Sequence, residues 1–280
     1  MKRILLSGMA ACFLSAAMAQ TDTTGKKEND SQADTINVGG MIIIKKKGES
    51  DHEYHYNESP RSYHHWRKKP ENLSTNWFVF DIGFSNFNDQ TNYKSSEAQA
   101  FAPGSTDDWF DINSGKSRNV NIWFFMQTLN VSKHILNLKY CLGLDLNNYF
   151  FEDERIRFNK NPTYVYLDST LKNAKKNKLA ADYLTVPVML NFNFTPDRRQ
   201  GFGLSFGVSA GYLYNSRQKV KLDGDKFKVH DSFDLEYWKF SYIGELLFGP
   251  VKLYGSYAMH NMWQKGLDQT PYTFGFRFSY

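Results

Sequence analysis

Phe202-Gly203-Leu204-Ser205-Phe206-Gly207-Val208-Ser209-Ala210-Gly211-Tyr212 alternates apolar residues, most of them large, with glycine and serine at every step. A period of two sends successive side chains to opposite faces of a β-strand. Taken as a strand over about 201–219, the segment has Phe202, Leu204, Phe206, Val208, Ala210, Tyr212 and Tyr214 on one face. Gly203, Ser205, Gly207, Ser209 and Gly211 occupy the other. Such a strand has bulk on one side and almost none on the other.

The same rhythm predicts seven further strands, at about 76–87, 118–130, 135–150, 178–194, 234–248, 251–262 and 271–280. In the first, Phe78, Phe80, Ile82 and Phe84 oppose Trp77, Val79, Asp81, Gly83 and Ser85. In the third, Leu136, Leu138, Tyr140, Leu142, Leu144 and Leu146 oppose Asn137, Lys139, Cys141, Gly143, Asp145 and Asn147. The last sets Tyr272, Phe274, Phe276, Phe278 and Tyr280 against Thr273, Gly275, Arg277 and Ser279. Residues 118–130 are least regular. Val120, Ile122, Phe124 and Met126 share a face, but Trp123 and Phe125 stand opposite.

Connections alternate in length. Those at 131–134, 195–200 and Gly249-Pro250 are short; those at about 88–117, 151–177, 220–233 and 263–270 are mostly longer. An eight-stranded antiparallel up-and-down transmembrane β-barrel has this asymmetry, with short periplasmic turns and longer outer loops. This is the expected fold over residues 76–280. A soluble barrel would turn its apolar set into a narrow lumen. Here the apolar set is too bulky for that, and the glycine, serine and charged set fits a lumen better. Tyr149, Tyr212, Tyr214, Trp238 and Trp263 near strand ends are expected to form interfacial girdles. The mean hydropathy of −0.56 is no objection, because only alternate residues of such a wall touch lipid.

The N-terminus predicts export. Lys2 and Arg3 precede an apolar stretch, Ile4 to Ala17, and Ala17-Met18-Ala19 forms a small-residue cleavage site, so residues 1–19 read as a signal peptide. Residues 20–75 read as a largely disordered periplasmic extension, with Ile36 to Ile44 its one ordered piece. The formal net charge of +5 includes Lys2 and Arg3. So small an excess gives no ground for nucleic-acid binding. Cys141 is the sole cysteine beyond the leader and reads as a packing residue.

The strands from Trp77 to Phe276-Arg277-Phe278-Ser279-Tyr280 resemble the outer-membrane β-barrel domain family that includes PorT-like proteins. Tyr183-Leu184-Thr185-Val186-Pro187-Val188-Met189-Leu190 resembles that family's middle strand, and Asp34 to Ile44 is similar to an N-terminal segment of its relatives. Phe276, Phe278 and the terminal Tyr280 resemble the signal read by the barrel-assembly machinery. The resemblance implies an outer-membrane location, contact with outer-membrane lipid, and in some members an association with protein secretion.

Chemistry-bearing residues are sparse. His52, His55, His64 and His65 stand near Glu53 and Glu58, but without cysteine or zinc-type spacing, so they read as a solvated linker rather than a metal site. Ser256 and His260 share a face of one strand, roughly 13 Å apart, too far to act as nucleophile and base. No cofactor and no catalytic set are expected.

The charges of the small-residue face form the candidate site. A lysine or arginine facing lipid at midplane costs roughly 2–4 kcal/mol, and an unpaired charge in a narrow lumen is also costly. Asp81, Glu245, Lys252 and Arg277 are therefore expected to meet in a cluster blocking the periplasmic half of the lumen, extended by Lys139 and Asp145. Lys252, at the start of its strand, is the member that solvation at the rim would suit equally. The expected function is a non-enzymatic outer-membrane component acting on a protein partner through outer loops or the periplasmic segment. A small pore or solute channel is the alternative, and an outer-membrane hydrolase the third reading.

Overall fold

The computed structural model describes residues 34–38, 41–45, 71–196 and 201–279, in two units, 1–65 and 66–280. In the first unit the described residues form one antiparallel hairpin, β1 (Asp34–Val38) and β2 (Met41–Lys45), with Val38 opposite Met41. The leader, residues 20–33 and the histidines between 52 and 65 lie outside the described residues.

In chain order the second unit holds β3 (Leu73–Asp89), a short helix α1 (Ser96–Phe101), β4 (Arg118–Ser132), β5 (Leu136–Phe150), β6 (Ile156–Phe158), β7 (Val165–Leu167), β8 (Lys176–Asn193), β9 (Phe202–Leu222), β10 (Asp225–His230), β11 (Trp238–Phe248), β12 (Val251–Ala258) and β13 (Gln269–Phe278). Eight of these strands close a ring in the order β3-β4-β5-β8-β9-β11-β12-β13, with β13 paired back onto β3. Every neighbouring pair in it is antiparallel. Closure leaves the ring no free edge. The eight strands expected from the alternation correspond one to one with these eight.

Burial alternates with the sequence. In β5 each residue from Asn137 to Tyr149 at odd positions is buried and each even position is half-exposed. What is buried is the polar set. Asp81, Ser85, Asn119, Asn147 and Ser205 are fully enclosed, while Phe274, Phe276 and Phe278 are 54%, 53% and 57% exposed.

Glycines make room for the large residues that remain inside. A Cβ on Gly143 would lie 2.3 Å from the Ile122 carbonyl oxygen and 2.7 Å from the Trp123 ring. One on Gly83 would lie 2.6 Å from the Tyr254 hydroxyl.

Two expectations on the irregular strand and its neighbour need correction. Met126 is buried beside Trp123 rather than outside with Phe124, because β4 bulges between Trp123 and Phe125 against β5 and changes phase there. Trp77, expected inside with Val79, is 66% exposed, because Phe78 adopts φ +53° and resets β3 at the same level.

The long connections are built, not bare. Ser95 caps α1 by accepting the Ala98 N–H, and Asp168 caps the turn at Ser169–Leu171 by accepting the Thr170 N–H. β6 and β7 form a small ribbon, and β10 extends the wall by pairing with the far end of β9. These segments enclose Phe101, Phe110, Ile156, Phe158, Phe233 and Leu235 in one apolar cluster over the loop end of the ring. Tyr149 and Trp263 belong to this cluster, each 2% exposed, which corrects their placing in an outer girdle; Tyr212, Tyr214 and Trp238 are on the exposed face.

Candidate functional site

Arg277 and Asp81 are directly opposite across β13 and β3, so strand register alone brings them together. Arg277 Nε donates to Asp81 Oδ1 at 2.7 Å and Nη2 donates to Oδ2 at 2.6 Å, a two-pronged match of guanidinium to carboxylate. Asp81 also accepts the Trp123 indole N–H at 2.8 Å and an Asn121 amide N–H at 3.0 Å. The remaining arm of Arg277 pairs with Glu245 from β11. Glu245 in turn pairs with Lys139 from β5 and accepts from the Ser205 hydroxyl of β9 at 3.1 Å. Asn191 of β8 donates to Ser205, and Asn137 donates to Asn191. This one network touches seven of the eight ring strands and crosses the interior.

A second layer lies toward the loops. Lys239 Nζ meets Asp145 Oδ2 at 2.5 Å, and Asp145 Oδ1 accepts from Asn119 and Asn147 at 2.8 and 2.9 Å. The Tyr254 hydroxyl donates to Asn119 at 2.5 Å. The three cations Lys139, Lys239 and Arg277 thus face the three anions Asp81, Asp145 and Glu245, and each is at most 8% exposed. Removing one member of a buried ion pair strands its partner, at a cost of about 3–5 kcal/mol.

Of the six charges singled out in the sequence, five therefore lie in these layers: Asp81, Lys139, Glu245 and Arg277 in the first, Asp145 in the second. Lys252 stands apart. Its register partner is Arg277, a like charge, and its Nζ donates to Ser279 Oγ at the end of the chain; among the described residues it makes no ion pair. Lys239 was not singled out. It shares its strand face with Glu245, and a carboxylate at Asp145 requires a cation, so the alternation held the signal.

Next to these layers Val79, Trp123, Met126, Cys141 and Met189 form a small apolar plug, with Cys141 a free buried thiol. The hollow between the layers has a volume of about 40 Å³ and is lined by Asn121, Asp145, Thr185, Ser241, Tyr254 and Arg277 among others. That is room for no more than a few waters.

Elsewhere, Ser256 bonds Thr273 Oγ1 at 2.7 Å and His260 Nδ1 contacts the Asn261 carbonyl at 2.9 Å, so each has a partner other than its candidate mate. Phe276 and Phe278 lie on the exposed face; Tyr280 lies outside the described residues. No protein-family model matches this chain, and no curated protein matches it.

Proposed function

We propose that this chain is a membrane-spanning eight-stranded β-barrel of an outer membrane, closed to solute flow, which acts by binding through its loop end. One observation carries the reading: the ring buries six balanced charges and exposes a continuous apolar belt. In water such a belt would be an aggregation surface, far larger than soluble monomers expose. In hydrocarbon it is the required exterior, and a closed sheet satisfies every backbone donor and acceptor there. The resemblance to PorT-like proteins belongs to the same proposal and adds a secretion-associated role.

Closure to solutes is supported by the two ion-pair layers and the aromatic cluster above them. Side chains from all eight ring strands meet in the two layers, and the hollow between them holds no more than a few waters. Binding rather than catalysis is favoured because the six interior charges are spent on one another. The buried atoms Asn121 Oδ1, Thr185 Oγ1 and Ser241 Oγ, which have no protein partner among the described residues, face only the small hollow. The loop end is the part with developed secondary structure of its own, and loops on a rigid scaffold are where recognition concentrates.

Flotation of the purified chain with phosphatidylcholine vesicles tests the membrane reading. The protein should rise with the lipid and resist extraction by high salt and alkali. Planar-bilayer recording tests closure. A flat baseline at applied voltage is expected, and steady unitary conductance would overturn the closed-lumen reading.

A further inference from the structure

We propose that the outer face of the β8–β9–β10 extension is a binding site for phosphate-bearing lipid headgroups of the leaflet around the loop end. This rests on the membrane-spanning reading above and names a ligand for it.

The site follows from register. Lys176 of β8 is opposite Lys221 of β9, which is opposite Lys226 of β10. Two residues along, Lys178 is opposite Lys219, which is opposite Lys228. Six lysines thus form two cross-strand rows of three on one face of a three-stranded sheet. They line a single hollow of about 260 Å³. With strands about 4.8 Å apart and a two-residue step near 6.7 Å, the lattice measures roughly 10 Å by 7 Å.

Like charges directly opposite one another in a sheet are destabilising. Four such pairs occur here. The acids of these three strands and their turn are Asp223 and Asp225, at the hairpin turn, and Asp182 of β8, which Arg217 engages. Among the described residues none of the six lysines makes an ion pair. Lys178 Nζ is partly engaged, donating to Asn148 Oδ1 at 2.6 Å and lying 4.9 Å over the Phe150 ring. The contrast with the interior is plain, since each of the three buried cations there has a carboxylate. A multivalent anion is the missing counter-charge, and primary ammonium groups suit phosphate.

Position selects the source of that phosphate. The opposite face of the extension is occupied, with Val220 packed against Leu171 and Ala174. The lysines therefore face outward. On β9 the register shifts at Tyr214, so Asn215, Arg217, Lys219 and Lys221 follow the exposed Tyr212 and Tyr214. On β8 Lys176 and Lys178 share the parity of Leu184, Val188 and Leu190, separated from them by the buried Ala180 and by Asp182, which pairs with Arg217. Along β9 the order is apolar, aromatic, cationic, which matches hydrocarbon, interface and headgroup.

The full chain is reconstituted in phosphatidylcholine vesicles with and without a bis-phosphorylated glycolipid, floated, solubilised mildly, and assayed for glycolipid retained per protein. A variant with K178Q, K219Q, K221Q and K228Q is compared with the four corresponding Lys→Arg changes, and folding of each is checked by heat-dependent gel migration. The wild type and the arginine variant should retain the glycolipid at least five-fold above the glutamine variant. Inorganic phosphate at matched phosphate concentration should not displace it. Equal retention by the folded glutamine variant overturns the site while the membrane reading stands. Displacement by inorganic phosphate shows a free-anion site and overturns the lipid assignment. Failure of the wild type to float with phosphatidylcholine removes the membrane reading, and this proposal with it.

Discussion

The ring wall and the loop cap follow opposite burial rules within one chain. In the wall, Asp81, Lys139, Glu245 and Arg277 are inside, while Phe206, Tyr242 and Phe274 are about half-exposed or more. In the cap, Phe110, Ile156, Phe158 and Phe233 are inside at 0–3% exposure, and charges such as Asp107, Lys116 and Lys172 are on the surface. A fold buries what its solvent rejects. The cap therefore carries the signature of a part surrounded by water, and on the proposed reading the wall carries that of a part surrounded by lipid. The change of rule within β5 is abrupt. Asn147 is polar and enclosed, and Tyr149, two residues on, is the first member of the apolar cap.

The sharpest way to break this contrast is Arg277→Met. The side chain is apolar and similar in length, so packing is largely kept, but Asp81 and Glu245 lose their shared cation. The expected loss is about 3–5 kcal/mol, read as a lower urea midpoint of the reconstituted protein by tryptophan fluorescence. An unchanged midpoint would mean that the interior pairs contribute nothing net. The double change that also neutralises Asp81 to asparagine should recover much of the loss, since Glu245 keeps Lys139 and no charge is then stranded.

A somewhat smaller effect tests the outer face. Val208 is 48% exposed midway along the apolar run of β9. In hydrocarbon, Val208→Arg should cost roughly 2–4 kcal/mol; on a water-facing surface it should stay within about 0.5 kcal/mol. Urea titration in bilayers separates the two, and a neutral result would place the belt in water and erase the contrast between wall and cap.

The wall was legible in sequence because alternation is a local property. Each strand declares both faces without reference to its neighbours, so Arg277, Asp81 and Glu245 could be assigned to one face before their pairing was known. Two kinds of feature were not legible. Phase changes such as Phe78 at φ +53° and the bulge at Trp123/Phe125 arise from backbone irregularity at one residue, and misplaced Trp77 and Met126. The cap was missed for a different reason. Its core joins residues from 101 to 267, and short pieces such as Ile156–Phe158 have no period to read. Tyr149 and Trp263 were assigned to a girdle because composition near a strand end does not say which side of the wall a ring occupies. Lys252 shows the limit at the rim, where facing inward does not guarantee a partner.

The smallest expected effect concerns charges that water, rather than protein, surrounds. Asp168 accepts from the Thr170 hydroxyl at 2.6 Å and backbone N–H at 2.9 Å, and pairs with Arg157 at 2.6 Å. These contacts, the Thr170 hydrogen bond foremost, hold its carboxyl below the ordinary value of 3.8. A carboxyl depressed on folding adds stability that is present above its unfolded value and lost as pH falls through its folded value. Because the Arg157 side chain is 43% exposed, the ion pair itself adds little. Lowering the pH from 5 to 2 should therefore loosen the Ser169–Leu171 turn without unfolding the ring. The Thr170 amide shift followed by NMR should titrate with a midpoint below 3.8, and Asp168→Asn should abolish that titration. A midpoint at or above 3.8 would show that the contacts do not hold in solution. Loss of ring signals over the same pH window would show that the surface charges are coupled to the interior pairs, and the two regions would then not be separable as the contrast between wall and cap requires.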